Sequence, residues 1–290
     1  MTIGALLDAG GDFEHLQNEL QKLGIEDEYE LKLTKVNKNG ITSSKFDVVL
    51  KEEVHAGHHH EHNGHAHSHS DHEHHHHDHS HSHGDDHEGH HHEQLHSHDG
   101  EHEQAHHHGE HHGHHHHDHF HRAYKDIVEM IQEAGFSERV EKMALGIFKK
   151  IGLAEGKIHG MPLDDVHFHE VGAVDSIIDI VGTAILIDQL EIDTVVSSSI
   201  PTGTGKIHID HGIYPVPAPA TMEILKGIPI AKSELKAELT TPTGAAIAAV
   251  LASEFSTLPE MTITSIGYGA GTKTFPQHPN VLRVVIGEAT

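Results

Sequence analysis

The chain has no cysteine and no tryptophan, and aromatic residues make up only 4% of it. Without cysteine there is no disulfide scaffold, no thiolate metal site and no thiol nucleophile. The shortage of aromatics removes the stacking platforms on which single-stranded nucleic acids lie. No apolar run approaches the roughly 18 residues that a membrane span needs, so no membrane role is expected. Residues 1–8 carry no basic region and are too short for a signal peptide. These absences point to the cytoplasm. Basic side chains are scarce as well: 19 Lys and Arg stand against 45 Asp and Glu, a formal net charge of −26 that repels nucleic acid.

Between residues 55 and 121 the lack of Lys and Arg is complete, and this is where the histidines are. The tract holds 34 of the chain's 41 histidines, and its 13 carboxylates supply half of the formal charge. Leu95 and Phe120 are its only large apolar residues, so it cannot bury a core and reads as a long disordered insertion. Imidazole is a ligand for nickel, zinc, copper and cobalt, and carboxylates add hard oxygen donors. The runs His58, His59, His60; His74, His75, His76, His77; His90, His91, His92; His106, His107, His108; and His114, His115, His116, His117 are the candidate ligands. Such runs present nitrogen in almost any direction and capture a divalent ion without a folded site. Because imidazole titrates near ~6.5, mild acid would turn this anionic segment cationic and release its metal.

The rest of the chain shows ordinary folding signals. Residues 1–9 look like a helix ending at Gly10-Gly11. Asp12 then caps a second, with Phe13, Leu16, Leu20 and Leu23 on one face and Gly24 as its stop. Alternation at Tyr29, Leu31, Leu33 and at Phe46, Val48, Leu50 predicts a hairpin across the 37–40 turn. After the tract, Tyr124, Ile127, Val128 and Ile131 space as a helix, and Ser137 caps another that Gly152, Gly156 and Gly160 are expected to break. Further helices are expected over 173–190, 219–225 and 242–252. Strands are expected over 194–200, 261–266 and 281–286, the last two flanking a glycine-rich turn. The alternation predicts an α/β or α+β fold, a layered sheet with helices. Residues 1–54 would be its N-terminal helix-and-hairpin segment, 55–121 the insertion, and 122–290 the remainder.

Four segments could carry chemistry. His167, His169 and Glu170 precede Asp175 and Asp179. The two histidines would point the same way in a strand and the two aspartates share a helical face, so a nitrogen and oxygen metal site could form. A helix-start aspartate with histidines bonded to backbone explains the same pattern. Thr202, Gly203, Gly205 and Lys206 could meet a phosphate, with His208 and His211 as further metal ligands. A hairpin with a polar turn is the alternative. Thr241, Thr243 and Gly244 could attract an anion at a helix start, or only cap it. Gly267, Gly269, Gly271 and Lys273 suggest a backbone cradle, or merely a wide turn.

Several stretches strongly resemble one family in their order and wording: 166–179 with its His-Phe-His-Glu, 215–221 with its Pro-Val-Pro-Ala-Pro-Ala-Thr, 241–246, and 266–271. The chain resembles the LarC family of nickel-insertion proteins over nearly all of its length outside the histidine tract. The resemblance implies insertion of Ni(II) into a pyridinium bis-thiocarboxylate mononucleotide, giving the nickel-pincer cofactor of enzymes such as lactate racemase. It implies CTP, with a divalent metal, bound on a second C-terminal domain or separately encoded partner, and it makes a recipient racemase a further partner. Relatives begin with a strand and a Ser-Gly-Ile-Ser-Gly-Asp-Met turn, of which Met1 matches the last residue. A sheet without that strand would present a bare edge and invite homo-oligomer formation. The substrate offers sulfur to nickel, so a histidine-to-sulfur handover needs no cysteine. A nickel storage protein or metallochaperone without catalysis is the competing reading. A metal-dependent hydrolase built on His167, His169, Asp175 and Asp179 is a third.

Overall fold

Local chemistry sets most of the helix ends in the computed structural model, which describes residues 1–51, 122–168, 173–209 and 212–289. Helix α1 (Thr2–Asp8) is followed by α2 (Phe13–Leu20), whose N-cap Asp12 accepts the N–H groups of Glu14 at 2.9 Å and His15 at 3.1 Å. Gly24, at φ 67°, ends the 3₁₀ turn that continues α2. Strands β1 (Tyr29–Lys38) and β2 (Ile41–Leu50) form the expected hairpin. Its two-residue turn, Asn39-Gly40, has both φ angles positive, a type I′ geometry that suits Asn-Gly.

Helix α3 (Tyr124–Glu133) is followed by α4 (Glu138–His159), capped by the Ser137 hydroxyl accepting from the Val140 N–H at 3.2 Å. Of the three glycines expected to break this region, only Gly160 does so, at φ 68°, while α4 runs straight through Gly152 and Gly156. Their reason is packing. A Cβ on Gly152 would sit 2.5 Å from the Leu163 side chain, and one on Gly156 would sit 2.8 Å from the Met161 carbonyl oxygen. Helix α5 (Val174–Gln189) is the central element, with Ile177, Ile178, Ile180, Val181, Ala184 and Leu186 fully buried. Burying each large aliphatic side chain contributes about 1.5–3 kcal/mol relative to exposure.

Beyond α5 the expected strand over 194–200 is two short pieces, β3 (Val195–Ser197) and β4 (Ile200–Pro201). A small hairpin, β5 (Lys206–Ile209) and β6 (Gly212–Pro215), precedes α6 (Pro219–Ile224), β7 (Ile230–Ala231), α7 (Pro242–Leu251) and β8 (Ala252–Phe255). Strand β3 pairs in parallel with β8, and β4 with β7. Strands β9 (Met261–Ala270) and β10 (Val281–Ala289) complete the main sheet, in the order β1-β2-β9-β10. Residues 1–51 and 122–289 contribute to one hydrophobic core. The fold is mixed α/β, as the alternation predicts.

One segment departs from expectation in a way that matters for the site. Strand β9 does not stop at Ile266 but continues to Ala270, so Gly267 and Gly269 lie inside a strand. Helix α1 rests directly on them: a Cβ would sit 2.1 Å from the Ala5 carbonyl oxygen at Gly267, and 2.0 Å from the Met1 carbonyl oxygen at Gly269. The same helix touches β2, where a Cβ on Gly4 would sit 2.6 Å from the Ser44 carbonyl oxygen. It thus lies across the parallel junction of β2 and β9, which register at Ser44 and Gly269.

Candidate functional site

The His-Phe-His-Glu segment is anchored by its phenylalanine. Phe168 is fully buried between Tyr124 and Phe148, with ring centroids at 6.4 and 6.3 Å. His167 makes an isolated antiparallel bridge to Ala123 and is exposed, as alternation about Phe168 requires. His169 and Glu170 lie outside the described residues. Asp175 occupies the first turn of α5, where its carboxylate accepts the Ser176 N–H at 2.8 Å and complements the helix dipole.

One turn further on, Asp179 is partly buried. Burial pushes its carboxyl above the ordinary range; the nearby Met1 amino group acts against this, and the Asp175 carboxylate reinforces it. Its main-chain oxygen accepts the Thr183 hydroxyl at 2.7 Å. The start of α1 packs against Gly269 and Gly271, since a Cβ on Gly271 would sit 2.9 Å from the Met1 sulfur, and the Met1 amino group lies within electrostatic reach of Asp179. This brings two separately predicted segments to one helix end. Among the described residues, no three His, Asp or Glu side chains gather as a metal-holding group, so His167, Asp175 and Asp179 do not assemble one by themselves.

A second pair of predicted segments also meets. The Leu239 N–H donates to the Thr202 carbonyl at 3.2 Å, and the Thr240 hydroxyl donates to the Pro201 carbonyl at 2.6 Å. Thr202 and Gly203 are buried there. Gly203, at φ 80°, is held by close approach, because a Cβ would sit 1.9 Å from the Ala237 carbonyl oxygen. Gly205, Lys206 and His208 lead into the β5–β6 hairpin, with Lys206 and His208 exposed; His211 lies outside the described residues. Thr241 caps α7 by accepting the Gly244 N–H at 3.3 Å, and Thr243 lies between them in the first turn.

The 267–273 segment gives no anion cradle of the kind its glycines suggested. The backbone of Gly267 and Gly269 is covered by α1, and beyond it the carbonyls of Thr272 and Lys273 turn toward a cation. That cation is the buried Lys38 ammonium, which donates to both at 3.2 Å and to the Thr274 hydroxyl at 3.1 Å. These carbonyls are acceptors already engaged by Lys38 and offer no donor to a phosphate. The Lys273 side chain is exposed.

Two groups were missed by sequence reasoning, Lys38 and Asp8. Asp8 accepts from the Ser44 hydroxyl at 2.9 Å, the Tyr268 N–H at 2.8 Å and the Lys35 ammonium, joining α1 to three strands. Burial pushes its carboxyl upward, but the bonds from Lys35, Tyr268 and Ser44 outweigh this and hold it below the usual range. Neither residue sits in a local motif, and their partners lie up to 260 positions away. The histidine runs of the 55–121 tract lie outside the described residues.

The profile of a family described as nickel insertion protein matches residues 1–290. The chain belongs to this family. A relative from Geobacillus kaustophilus (strain HTA426), named pyridinium-3,5-bisthiocarboxylic acid mononucleotide nickel insertion protein, is 43% identical over 290 residues, covering 100% of this chain and 57% of the relative. Relatives of the same name from Clostridium kluyveri and Clostridium acetobutylicum are 41% and 44% identical over 288 residues, each covering 99% of this chain and 59% and 61% of the relatives. The chain thus spans about three fifths of their length. No solved structure matches the chain. Among the described residues, no helix is long and apolar enough to cross a membrane.

Proposed function

We propose that this chain collects Ni(II) and takes part in its insertion into a pyridinium bis-thiocarboxylate mononucleotide, yielding the nickel-pincer cofactor of lactate racemase-type enzymes. The observation that carries the reading is the family match along the whole chain, joined to a tract of 34 histidines of 41. In this division of labour the tract of residues 55–121 is an insertion that holds nickel as cargo. The folded core presents the substrate and receives one ion from the tract. His167, His169, Glu170, Asp175 and Asp179 are the proposed fixed nickel ligands, Asp175 from the first turn of α5 and Asp179 from the next. The thiocarboxylates then compete for nickel as soft donors against harder imidazole and carboxylate groups, which gives the transfer its direction.

Thr202, Lys206, Thr241 and Thr243, on the two segments joined through Leu239 and Thr240, are the proposed contacts for the phosphate of the mononucleotide. CTP, its divalent metal and the lyase-type step are assigned, on the family resemblance, to the remaining two fifths of the relatives' length. The work is cytoplasmic in this reading. A storage or chaperone role would need only the tract, and the two readings separate on substrate binding. The test mixes purified chain, nickel and apo-substrate, with and without CTP and the remaining family segment, then assays racemase activation. Activation that requires this chain together with that segment is expected. Nickel uptake with no binding of apo-substrate would establish storage instead.

A further inference from the structure

The histidine tract joins the core at two points, and one residue holds both. Where the chain leaves the core, the Lys51 N–H donates to the Glu28 carbonyl at 2.9 Å, and the Lys51 ammonium donates to the Glu26 carbonyl at 3.0 Å. Where the chain returns, the Arg122 guanidinium pairs with the Glu28 carboxylate at 2.5 Å. The Glu28 N–H closes its own turn on the Ile25 carbonyl at 3.0 Å, and the next residue opens β1. Glu28 is thus a fixed point of the main sheet that clamps Lys51 and Arg122 together.

The returning end is docked a second time, on the segment that carries His167. Ala123 bridges His167 in antiparallel fashion, and the Tyr124 N–H donates to the Val166 carbonyl at 3.0 Å. Buried Phe168 anchors that segment, so the bridge has a rigid partner. Stability alone does not account for the arginine. Its Nη1 is buried with no hydrogen-bond partner among the described residues, a loss that offsets much of what a partly exposed ion pair contributes. What the pair does is set position. The last histidine run, His114–His117, ends five residues before Arg122 in sequence, so its end reaches at most about 18 Å from that fixed point. A tether this short holds a donor at roughly millimolar effective concentration, which favours transfer within the chain over capture from solution.

Resting on the reading of the tract as nickel supplier, we propose that Arg122 is a positioning residue. It holds the mouth of the tract beside His167, so that nickel passes to the core within one chain and enters at His167. The experiment measures racemase activation against nickel concentration, using the full chain with apo-substrate, CTP and the remaining family segment. Arg122→Ala releases the returning end. A second variant keeps the clamp and inserts about ten Gly/Ser residues between His121 and Arg122. That triples the tether from the last histidine run and lowers its effective concentration about fivefold, as the −3/2 power of length. In both variants the nickel concentration for half-maximal activation should rise about fivefold, at an unchanged maximum and with unchanged nickel capacity by dialysis. Arg122→Lys, which keeps a cation opposite Glu28, should restore the wild-type curve. If Arg122→Ala does not fold by circular dichroism, the insertion variant decides. Wild-type nickel dependence in either folded variant, or a lowered maximum at saturating nickel, would overturn the proposal. A chain lacking residues 55–121 that matches the full chain at limiting nickel would instead overturn the supplier reading on which it rests.

Discussion

Replacing Gly267 with alanine tests whether the glycines of β9 serve packing or ligand binding. The new Cβ would lie 2.1 Å from the Ala5 carbonyl oxygen, 2.5 Å from the Ala9 nitrogen and 2.9 Å from the Ala9 Cβ. All three atoms belong to α1 or its C-cap, and none is the far end of a flexible side chain. Helix α1 must therefore lift by about 1 Å from the sheet, and overpacking of this kind costs about 2–3 kcal/mol. For a domain of this size each kcal/mol moves Tm by about 2–4 °C, so thermal unfolding followed by circular dichroism should show a fall of roughly 4–12 °C. Gly244→Ala makes the contrast. Its Cβ would have 3.7 Å to the nearest atom and would sit inside α7, where alanine is worth about 0.5–1 kcal/mol over glycine, so Tm should hold or rise. A Gly267→Ala chain as stable as wild type would refute the close-approach argument and reopen the ligand reading of these glycines.

Asp8→Asn should lower stability at neutral pH by about 1–3 kcal/mol, since it exchanges a charge-assisted cluster for weaker bonds. The wild-type carboxyl is held below its ordinary value of 3.8, so its contribution is complete above that value and is lost as pH falls through the depressed one. Urea midpoints of the two proteins should therefore converge in strong acid, and a gap independent of pH would contradict the assignment. Nickel bound by the full chain should number several ions per molecule and fall sharply between pH ~7 and ~5.5, as protons compete for imidazole near ~6.5. Equilibrium dialysis that found a single pH-insensitive ion would dispose of the capture tract. Phe168→Ala should cost about 3–5 kcal/mol by chemical denaturation, because the ring fills the space between Tyr124 and Phe148; a loss below 1 kcal/mol would mean that the 166–168 segment is not anchored there.

The helices were legible because their ends are written in local chemistry: Asp12 and Ser137 as N-caps, Gly24 and Gly160 as stops, proline opening α6 and α7. The β1–β2 hairpin was legible for the same reason, through Asn39-Gly40. Glycine is ambiguous wherever the cause is distant. Gly152 and Gly156 look like helix breakers, and Gly267 and Gly269 like a loop, until Leu163, Met161 and α1 are placed against them. The parallel junction of β2 with β9 joins strands more than 200 positions apart, and nothing local encodes it. The same separation hid Asp8 and Lys38. Reading the segments one at a time identified Thr202 and Thr241 but not the Leu239 and Thr240 bonds that bring them together.

In the proposed function the histidine tract captures nickel while the folded core directs its insertion. Racemase activation by a chain lacking residues 55–121, supplied with apo-substrate, CTP and the remaining family segment, tests this most directly when nickel is varied. Activation should reach the full-chain level at saturating nickel and fall well below it when nickel is limiting, with circular dichroism showing the helices retained. Loss of activation at saturating nickel from a folded, tract-free chain would place the insertion site in the tract and contradict the account.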